Sequence, residues 1–443
     1  MAYFHLISLG CAKNLVDSEV ILGSMANGGW EFTDNPHEAD LLLLNTCGFI
    51  QPAVEEAVEE IMELVKLKEE HPAKLVVVVG CLVQRYKEKL VAELPEVDLF
   101  LGTEVAPRVA ECVAELIQEG AGERLVLHDR FLMTAATPRV LSTPGSRAWL
   151  KITEGCDNRC SYCMIPAIRG GLRSREIDDL VAEAKLLQDF GVRELSLIAQ
   201  DTTAYGNDRG VDVNLVGLMD ALLEETSIPW FRLLYLYPTS ISDLLLQLIS
   251  ANPRFVPYLD IPIQHVNDEV LYAMNRHYTR EQLLTAIQRI RNVIPDIALR
   301  TTFLVGFPGE SEAQFLEIGE FMTQVRFDHV GVFPYTNEEG APSEKFPGQL
   351  PEEEKFRRRD HLLALQASIS ADILQKYVGR TESVLVEGLS SETDLLLEGR
   401  TRFQAPEVDG CVYINDGVAN PGDIVQVKIT DAQVYDLVGE IVY

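Results

Sequence analysis

The residues best suited to chemistry in this chain are three cysteines that lie within eight residues of one another. Cys156, Cys160 and Cys163, the central triad, follow the spacing C-x3-C-x2-C in a segment that runs from Glu154 to Arg175. Three thiolates this close can bind one inorganic centre without help from elsewhere in the fold. They are one short of the four that usually hold an iron–sulfur cluster, and structural zinc would also need a fourth ligand. An iron without a protein thiolate is a place where a small molecule can bind and react.

Three further cysteines, Cys11, Cys47 and Cys81, each come directly after an apolar run, in SLGC, NTC and VVGC. We call them the N-terminal triad. Apolar runs that alternate with helical patterns predict a parallel sheet covered by helices, and the strands of such a sheet end at one edge, where ligands bind. The sequence therefore predicts a second metal cluster, again with three thiolates and one open iron. The predicted strands and an intervening helix are Phe4–Leu9, Leu41–Leu44, Leu75–Val79 and Val54–Lys68.

Length, composition and cysteine use limit the class of protein. The chain has 443 residues, 47% of them hydrophobic, which suggests about two to four domains. No stretch approaches the roughly 18 uninterrupted apolar residues of a membrane-spanning helix, and the start MAYFHLISLGCAKN has no features of a signal peptide. Eight cysteines without an export signal indicate the reducing cytoplasm. Cys112 and Cys411 lie in a predicted helix and a predicted strand, and we interpret both as core residues.

The charge of the chain is strongly acidic, with a formal net charge of −30. A general nucleic-acid binder normally carries a basic face, because neutralising phosphates supplies most of its affinity. An acidic surface repels bare RNA and attracts a basic protein. Acidity alone is equally typical of an enzyme that is merely soluble.

Residues 149–340 contain six strand-like runs with helical patterns between them. Six such units indicate an open, three-quarter relative of the (β/α)8 barrel, in which reacting groups lie on the loops after the strands. The loop of the central triad follows the first of these strands, as this architecture requires. The predicted strands are Trp149–Thr153, Glu194–Ala199, Phe231–Tyr237, Tyr258–Ile263, Ala298–Val305 and His329–Phe333.

The end of the chain predicts a small five-stranded β-barrel, because short strand-like runs alternate with Gly and Pro turns. We divide the chain into an N-terminal α/β domain (1–135), a linker (136–148), a barrel domain (149–375) and a β-barrel domain (376–443). A charged helix, Glu352–Lys376, precedes the last domain. Its predicted strands are Ser383–Glu387, Asp394–Glu398, Cys411–Asn415, Ile424–Thr430 and Asp436–Val442.

The central triad, with an aromatic residue (Tyr162) before its last cysteine, resembles the signature of radical S-adenosylmethionine (SAM) enzymes. The longer string CSYCMIPAIRG…RSR resembles the methylthiotransferase branch of that family. The resemblance implies a [4Fe-4S] cluster whose open iron chelates SAM and, with one electron, cleaves it to a 5′-deoxyadenosyl radical. The cofactor supplies this chemistry, and the protein supplies orientation and exclusion of water.

The resemblance also implies a SAM site at the ends of later strands. The segment Gly306-Phe-Pro-Gly-Glu310 resembles the G-x-P-G-E segment that lines SAM in this family. Gln200, followed by Asp201, occupies the place where relatives bind the methionine end of the cofactor, and Arg300 is expected to pair with its carboxylate. The residues assigned to SAM in this way are Tyr162, Gln200, Arg300, Gly306, Pro308, Gly309 and Glu310.

Each of four other polar residues near these positions has two possible roles. Asp201 and His265 are either direct contacts of the ligands or hydrogen-bonding supports. Arg169 and Arg173 are either supports of the cluster loop or contacts of the substrate.

Motifs in the first and last domains indicate which branch of the methylthiotransferases the chain resembles. Residues 381–443, with Asn420-Pro-Gly-Asp423 before a V-x-V strand, resemble the TRAM domain that closes methylthiotransferases. SLGCAKNLVDSE and NTCGFI resemble the branch that modifies a ribosomal protein, whose usual SLGCPKN motif has Pro where this chain has Ala12. TRAM domains commonly bind RNA, but residues 376–443 have five basic and twelve acidic residues, a net charge of −7. Motif and charge therefore favour the same basic protein substrate.

The resemblance implies a methylthio transfer to the β-carbon of an aspartate in the twelfth small-subunit ribosomal protein. It further implies two [4Fe-4S] clusters, SAM, sulfide or polysulfide as the sulfur source, and an electron donor such as flavodoxin or ferredoxin. A radical is needed because no side-chain base can remove hydrogen from that carbon at neutral pH. No membrane is expected, and nucleic acid is not the primary partner. The alternatives are a tRNA adenosine methylthiotransferase and a non-enzymatic iron–sulfur scaffold or redox sensor.

Overall fold

Three sheets organise the computed structural model, which describes residues 2–120, 123–128, 130–210 and 213–443. The first is a parallel sheet with the strand order β2-β1-β3-β4-β5-β6. Its central strand β3 is buried along its whole length, as an apolar run in a sheet covered on both faces should be. The elements are β1 (Ala2–Ser8), α1 (Ala12–Asn27), β2 (Trp30–Phe32), β3 (Leu41–Thr46), α2 (Gln51–Glu70), β4 (Leu75–Gly80), α3 (Cys81–Tyr86), α4 (Glu88–Glu93), β5 (Leu99–Leu101), α5 (Val109–Glu119) and β6 (Leu125–Val126).

The second sheet is the predicted open barrel. Six parallel strands follow in the order β14-β13-β12-β11-β10-β7, so the barrel stays open between β7 and β14. A small antiparallel pair, β8 with β9, lies beside it. The elements are β7 (Arg147–Lys151), β8 (Thr153–Glu154), α6 (Ile165–Ile168), β9 (Arg173–Ser174), α7 (Ile177–Asp189), β10 (Glu194–Ile198), α8 (Leu215–Glu225), β11 (Trp230–Leu233), α9 (Asp243–Ala251), β12 (Phe255–Asp260), α10 (Asp268–Ala273), α11 (Arg280–Val293), β13 (Ala298–Val305), α12 (Glu312–Val325), β14 (His329–Pro334) and α13 (Glu352–Leu374).

The third sheet is a closed barrel with the order β15-β16-β17-β19-β18, which confirms the predicted five-stranded β-barrel. Its second strand begins three residues later than predicted, after a stretch of exposed polar residues. Where one domain ends and the next begins stays a prediction. The strands are β15 (Thr381–Leu389), β16 (Leu397–Thr401), β17 (Val412–Asp416), β18 (Ile424–Ala432) and β19 (Leu437–Ile441).

Alternate residues of the open barrel's strands enter two different cores. Leu150 and Leu197 pack with the covering helices. Trp149 and Ile198 instead share a core with Val16 of α1. The inner face of the open barrel is therefore filled by the neighbouring domains, and this packing fixes the N-terminal domain against the barrel.

Buried ion pairs add to this packing between domains. Lys151 of β7 contacts Asp17 of α1 at 2.5 Å. Between the open barrel and the last domain, Glu194 of β10 forms ion pairs with Arg232 at 2.6 Å and with Arg400 of β16 at 2.8 Å. All three side chains are buried. Opposite charges buried at these distances hold the domains in one arrangement, because separating them would leave buried charges unpaired. None of the helices within the described residues is long and apolar enough to cross a membrane.

Candidate functional site

The central triad lies on one loop between β8 and α6. The loop is shaped by backbone contacts: the N–H of Cys156 donates to the carbonyl of Gly170 at 3.1 Å, and the N–H of Ser161 donates to the carbonyl of Met274 at 3.0 Å. Gly155 makes this close approach possible. Its φ is +74°, and a Cβ there would lie 2.1 Å from the carbonyl oxygen of Gly171. Only glycine fits this position.

Two sulfur atoms of the central triad lie close to N–H groups. The backbone N–H of Ile165 points at the Sγ of Cys163 from 3.4 Å, and Nη1 of Arg276 lies 3.5 Å from the Sγ of Cys160. Burial raises the pKa of the Cys156 thiol to about 11 and that of the Cys163 thiol to about 12. Without a metal these thiols stay protonated at neutral pH, so metal binding must release their protons.

The N-terminal triad comes from three separate strand ends, as predicted. Cys11 precedes α1, Cys47 directly follows β3, and Cys81 is the first residue of α3 after β4. The strands β1, β3 and β4 are neighbours in the sheet, so their ends meet at one edge. The approach is close, since a Cβ on Gly10 would lie 3.2 Å from the Sγ of Cys47.

Arg169 joins the two triads. This residue lies in the central-triad segment, yet its buried guanidinium reaches the N-terminal domain, where Nη2 donates to the Sγ of Cys81 at 3.1 Å. The same guanidinium pairs with Asp17 at 2.7 Å and with Glu154 at 3.2 Å. Burial raises the pKa of the Cys81 thiol to about 12 even though Arg169 acts against that rise. The structure thus places Arg169 as a support of the cysteines rather than as an exposed contact.

Arg173, the second arginine with an open role, also supports the interface between domains. Its Nη2 lies 2.9 Å from Glu104, and its Nη1 donates to the carbonyl of Phe131 at 2.9 Å. Both partners belong to the first part of the chain. Arg173 therefore holds β9 against the N-terminal domain.

Each triad provides ligands of the kind that holds an iron–sulfur cluster. Within the described residues, no group of three or more His, Cys, Asp or Glu side chains is arranged to hold one metal ion. A four-iron cluster makes a different demand, because each thiolate binds its own iron at a corner of the cluster. Each triad offers three thiolates, a close glycine and a buried guanidinium. These features suit a bulky anionic group.

Hydrogen bonds to the side chain of Glu310 fix the predicted SAM segment after β13. Both oxygens of the buried Glu310 carboxylate are occupied: Oε2 accepts from the N–H of Gly306 at 2.8 Å and of Phe307 at 3.1 Å, and Oε1 accepts from Arg358 of α13 at 2.7 Å. Gly306 has φ +77°, and a Cβ there would lie 2.4 Å from the side chain of Lys355. Glu310 therefore shapes the loop, because both of its carboxylate oxygens accept hydrogen bonds from the protein itself.

Arg300 does not lie free at this edge. Its guanidinium contacts Asp260 at 3.2 Å and Asp409 of the last domain at 3.5 Å. Two protein carboxylates neutralise it on the inner face of the barrel. The expected pairing with the SAM carboxylate therefore stays a prediction that this geometry does not support.

Other predicted polar residues lie near the central triad. Asp201 accepts from Nδ2 of Asn158, in the cysteine loop, at 2.7 Å. The Oε1 of Gln200 is buried and has no hydrogen-bond partner among the described residues. Tyr162 packs against a cluster that includes Phe307. Gln200 is thus the residue of this group with an unused acceptor.

His265 is buried and uncharged. Burial and the nearby Arg358 lower the pKa of its imidazole to about 3. Its Nδ1 accepts from the N–H of Asn267 at 3.0 Å. The Nδ1 contact fits a hydrogen-bonding support, whereas the buried Nε2 has no hydrogen-bond partner among the described residues.

Sequence reasoning missed two cations beside the triads. Arg276 touches Cys160, and Lys13, next to Cys11, places its Nζ 3.4 Å above the ring of Tyr235. Lys13 belongs to a quoted motif and could have been found from its position. Arg276 lies in the string MNRHY, which carries no signal, and only the fold brings it to the cysteines.

The fold and the site together define a radical SAM enzyme, an open six-stranded barrel with a C-x3-C-x2-C loop after its first strand. Family models match residues 3–102 (uncharacterized protein family UPF0004), 150–322 (radical SAM superfamily) and 378–442 (TRAM domain). Ribosomal protein uS12 methylthiotransferase RimO of Desulfotalea psychrophila is 62% identical over 99% of both chains. The protein of the same name from Trichlorobacter lovleyi is 48% identical over 99% of this chain and 97% of its own. The chain belongs to this family of methylthiotransferases.

Solved structures agree with the fold. The radical SAM methyltransferase TsrM of Kitasatospora setae matches with a TM-score of 0.52 and 16% identity, over 86% of this chain and 81% of its own. The cobalamin-dependent radical SAM enzyme OxsB matches with a TM-score of 0.54 and 12% identity, over 81% of this chain and 56% of its own. The predicted architecture and the enzyme class are confirmed, and the family uses SAM and a [4Fe-4S] cluster. The names of the relatives favour the ribosomal-protein branch over the tRNA alternative.

Proposed function

We propose that this protein transfers a methylthio group to the β-carbon of an aspartate in the ribosomal protein uS12. The observation that carries the proposal is the pairing of two cysteine triads from different domains. Arg169 contacts Cys81 at 3.1 Å, and the next residue, Gly170, accepts from the N–H of Cys156 at 3.1 Å. Neighbouring residues of one loop therefore contact both triads, which suits a reaction that uses two centres. The relatives named for uS12 supply the substrate.

The central triad would hold the [4Fe-4S] cluster that, with SAM and one electron, supplies a radical able to remove hydrogen from an unactivated carbon. The chain's own residues then orient the cofactor. The backbone of Gly306, Pro308 and Gly309 allows a close approach, because Glu310 and Arg358 fix this loop from behind. The Oε1 of Gln200, unpartnered among the described residues, would accept a hydrogen bond from the cofactor. Tyr162 packs against the apolar cluster that includes Phe307. We leave Arg300 out of this set because two carboxylates already neutralise it.

The N-terminal triad would hold a second [4Fe-4S] cluster, whose open iron would bind sulfur drawn from sulfide or polysulfide. One SAM would supply the methyl group to that sulfur, and a second SAM, at the central triad, would supply the radical. Cys81 is buried, whereas Cys11 is exposed. The two cysteines therefore give this site a covered side, against Arg169, and an accessible side.

The substrate and the surroundings follow from charge. A chain with a net charge of −30 attracts a basic protein and repels bare RNA. We therefore propose the free or ribosome-bound protein as the substrate. The use of cysteine supports the cytoplasm as the location, and the family resemblance supports a flavodoxin or ferredoxin as the electron donor.

Mass measurement of both candidate substrates tests this function. The reconstituted protein is incubated anaerobically with SAM, sulfide and a reductant, together with uS12 in one reaction and with tRNA in the other. We expect the methylthio mass on an aspartate of uS12 and unmodified tRNA. A variant with alanine at Cys156, Cys160 and Cys163 is the control, and its uS12 must stay unmodified. Modified tRNA with unmodified uS12 would overturn the proposal.

A further inference from the structure

Each cysteine triad has one buried guanidinium at one of its sulfur atoms. Nη2 of Arg169 lies 3.1 Å from the Sγ of Cys81, and Nη1 of Arg276 lies 3.5 Å from the Sγ of Cys160. Both arginines come from the barrel domain, and both are buried, with Arg169 4% and Arg276 9% exposed. Exposed arginines near a cysteine are ordinary, but two buried ones, one for each triad, require a physical reason.

The contacts of Arg276 fix its guanidinium in place. Its Nε donates to the hydroxyl of Tyr278 at 2.7 Å, and its Nη2 donates to the carbonyl of Pro262 at 2.6 Å. The rings of Tyr237 and Tyr278 lie 4.6 Å and 5.2 Å from the guanidinium carbon. Among the described residues, no carboxylate lies within ion-pair distance of Arg276. Its charge is therefore directed at the sulfur of Cys160 without a neutralising partner.

Arg169 is arranged differently. The same guanidinium that contacts Cys81 also pairs with Asp17 at 2.7 Å and with Glu154 at 3.2 Å. These two carboxylates also pair with Lys151, at 2.5 Å and 2.9 Å. The four charges sum to zero, whereas Arg276 has no ion-pair partner among the described residues, and opposite charges at these distances oppose each other strongly inside a protein. The net positive potential at Cys81 is therefore weaker than that at Cys160.

A cluster held by thiolates gains one negative charge when it is reduced, and a fixed cation beside a ligating sulfur stabilises that charge. Hydrogen bonds to the sulfurs and nearby charge are among the factors that set cluster potentials. We propose that Arg169 and Arg276 are positioning residues that raise the reduction potential of the cluster at their own triad, with Arg276 giving the larger effect. The inference rests on the proposed function, because it takes both triads to be cluster ligands.

Redox titrations of single-cluster proteins test the inference. Full-length chains with alanine at Cys11, Cys47 and Cys81 carry R276K or R276Q, and chains with alanine at Cys156, Cys160 and Cys163 carry R169K or R169Q. Potentials are followed by the electron paramagnetic resonance signal of the reduced cluster. Iron in the two parent chains tests the cluster assignment separately, so its failure is distinguishable from a failure of the arginine roles.

We expect the glutamine variants to shift the potential of their own cluster to lower values, with the larger shift for R276Q. The lysine variants should stay near the parent value, because they keep the charge. A glutamine variant that loses its cluster while the matched lysine variant keeps it also supports the inference. Equal potentials in the glutamine variants and the parents, or equal shifts in the glutamine and lysine variants, would overturn it, as would loss of the cluster from both. A purely structural role predicts that last result.

Arg254 supplies a matched control. It too lies over an aromatic ring, that of Phe231 at 5.1 Å, and donates to the carbonyls of Ile228 and Leu223 at 2.7 and 2.8 Å. It precedes β12, at the opposite end of the barrel from the triads. R254Q should therefore leave both potentials unchanged.

Discussion

The two cysteine triads are assembled by opposite architectures. The central triad occupies a single loop, and its geometry depends on local contacts such as the tight approach of Gly155 to Gly171. The N-terminal triad collects one cysteine from each of three strand ends, so its geometry depends on the order of strands in a sheet. A group of three cysteines can thus be assembled by a short motif or by a whole domain. The difference predicts which changes should damage one triad and spare the other.

Removal of the central cysteines should have the largest effect. With Cys156, Cys160 and Cys163 changed to alanine, cleavage of SAM to 5′-deoxyadenosine should disappear, because the cluster that would bind and cleave SAM can no longer form. Iron should fall to about half of the about eight atoms expected for two four-iron clusters. Chromatography of the products and iron analysis measure both. Complete loss of iron, or no loss, would contradict the independence of the two triads.

Removal of the N-terminal cysteines should separate the two steps. With Cys11, Cys47 and Cys81 changed to alanine, SAM cleavage should persist and methylthiolation should stop. The central loop keeps its own contacts in this variant, so its cluster should still form. Mass spectrometry of uS12 and an assay for 5′-deoxyadenosine make the comparison. Methylthiolated uS12 from this variant would rule out the N-terminal triad as the sulfur site.

A single glycine should damage the central triad alone. In Gly155→Ala the new Cβ would lie 2.1 Å from a carbonyl oxygen, so the loop must move and the cysteines with it. A displacement of this size costs about 100-fold in rate, and we expect that loss in SAM cleavage. Gly170→Ala is the control: its φ is +77°, but no described atom lies within 4 Å of the new Cβ. Equal losses in the two variants would show that backbone strain, not the clash, is responsible.

A change distant from both triads should reduce stability without altering the difference between them. Burial alone would raise the pKa of Glu194, but Arg232 and Arg400 outweigh it and lower the pKa to about 2. Within the described part of the chain, Glu194→Gln leaves Arg232 buried without a carboxylate partner and leaves Arg400 with Glu387 alone, which should cost about 3–5 kcal/mol of unfolding free energy. Chemical denaturation at neutral pH measures this loss. The ratio of SAM cleavage to methylthiolation should not change.

The pH dependence of stability tests whether the ion pairs of Glu194 cause this loss. A carboxyl whose pKa is lowered in the folded state contributes its full stability above its ordinary pKa of 4.5, and this contribution is lost as pH falls toward 2. The parent protein should therefore lose stability over this range more steeply than Glu194→Gln. A constant difference between the two proteins from pH 7 to pH 2 would contradict the ion-pair explanation.

The smallest effect is expected from the surface of the last domain, which carries a net charge of −7 over residues 376–443. Reversing the exposed Glu392 and Asp394 to lysine should slow association with uS12 about 3- to 10-fold at low salt, because steering by charge is reduced. High salt should remove the difference. The control reverses Glu69 and Glu70, exposed acids at the end of α2. Equal association rates for all three proteins would exclude a docking role for this surface.

The sequence was informative where residues act through their neighbours in the chain. The C-x3-C-x2-C loop, the strands before Cys11, Cys47 and Cys81, and the turns of the last barrel all have local patterns. The short strands β2, β5 and β6 were missed because two or three residues carry no periodicity. Arg276 was missed, and Arg169 was left open, because their roles depend on where a long side chain points in the folded protein.

The buried contacts between domains bear on how this chain can be divided. Three family models cover it in succession, which suggests three modules that could be exchanged or removed. The interior does not follow those borders, since Glu194 of the barrel relies on Arg400, and Arg300 and Tyr258 of the barrel contact Asp409. A truncation before the last domain would leave charged groups of the barrel exposed or unpaired. The sequence divides into three modules, but buried contacts join them. A TRAM domain taken from another protein would therefore need equivalents of Arg400 and Asp409 to replace the last domain of this chain.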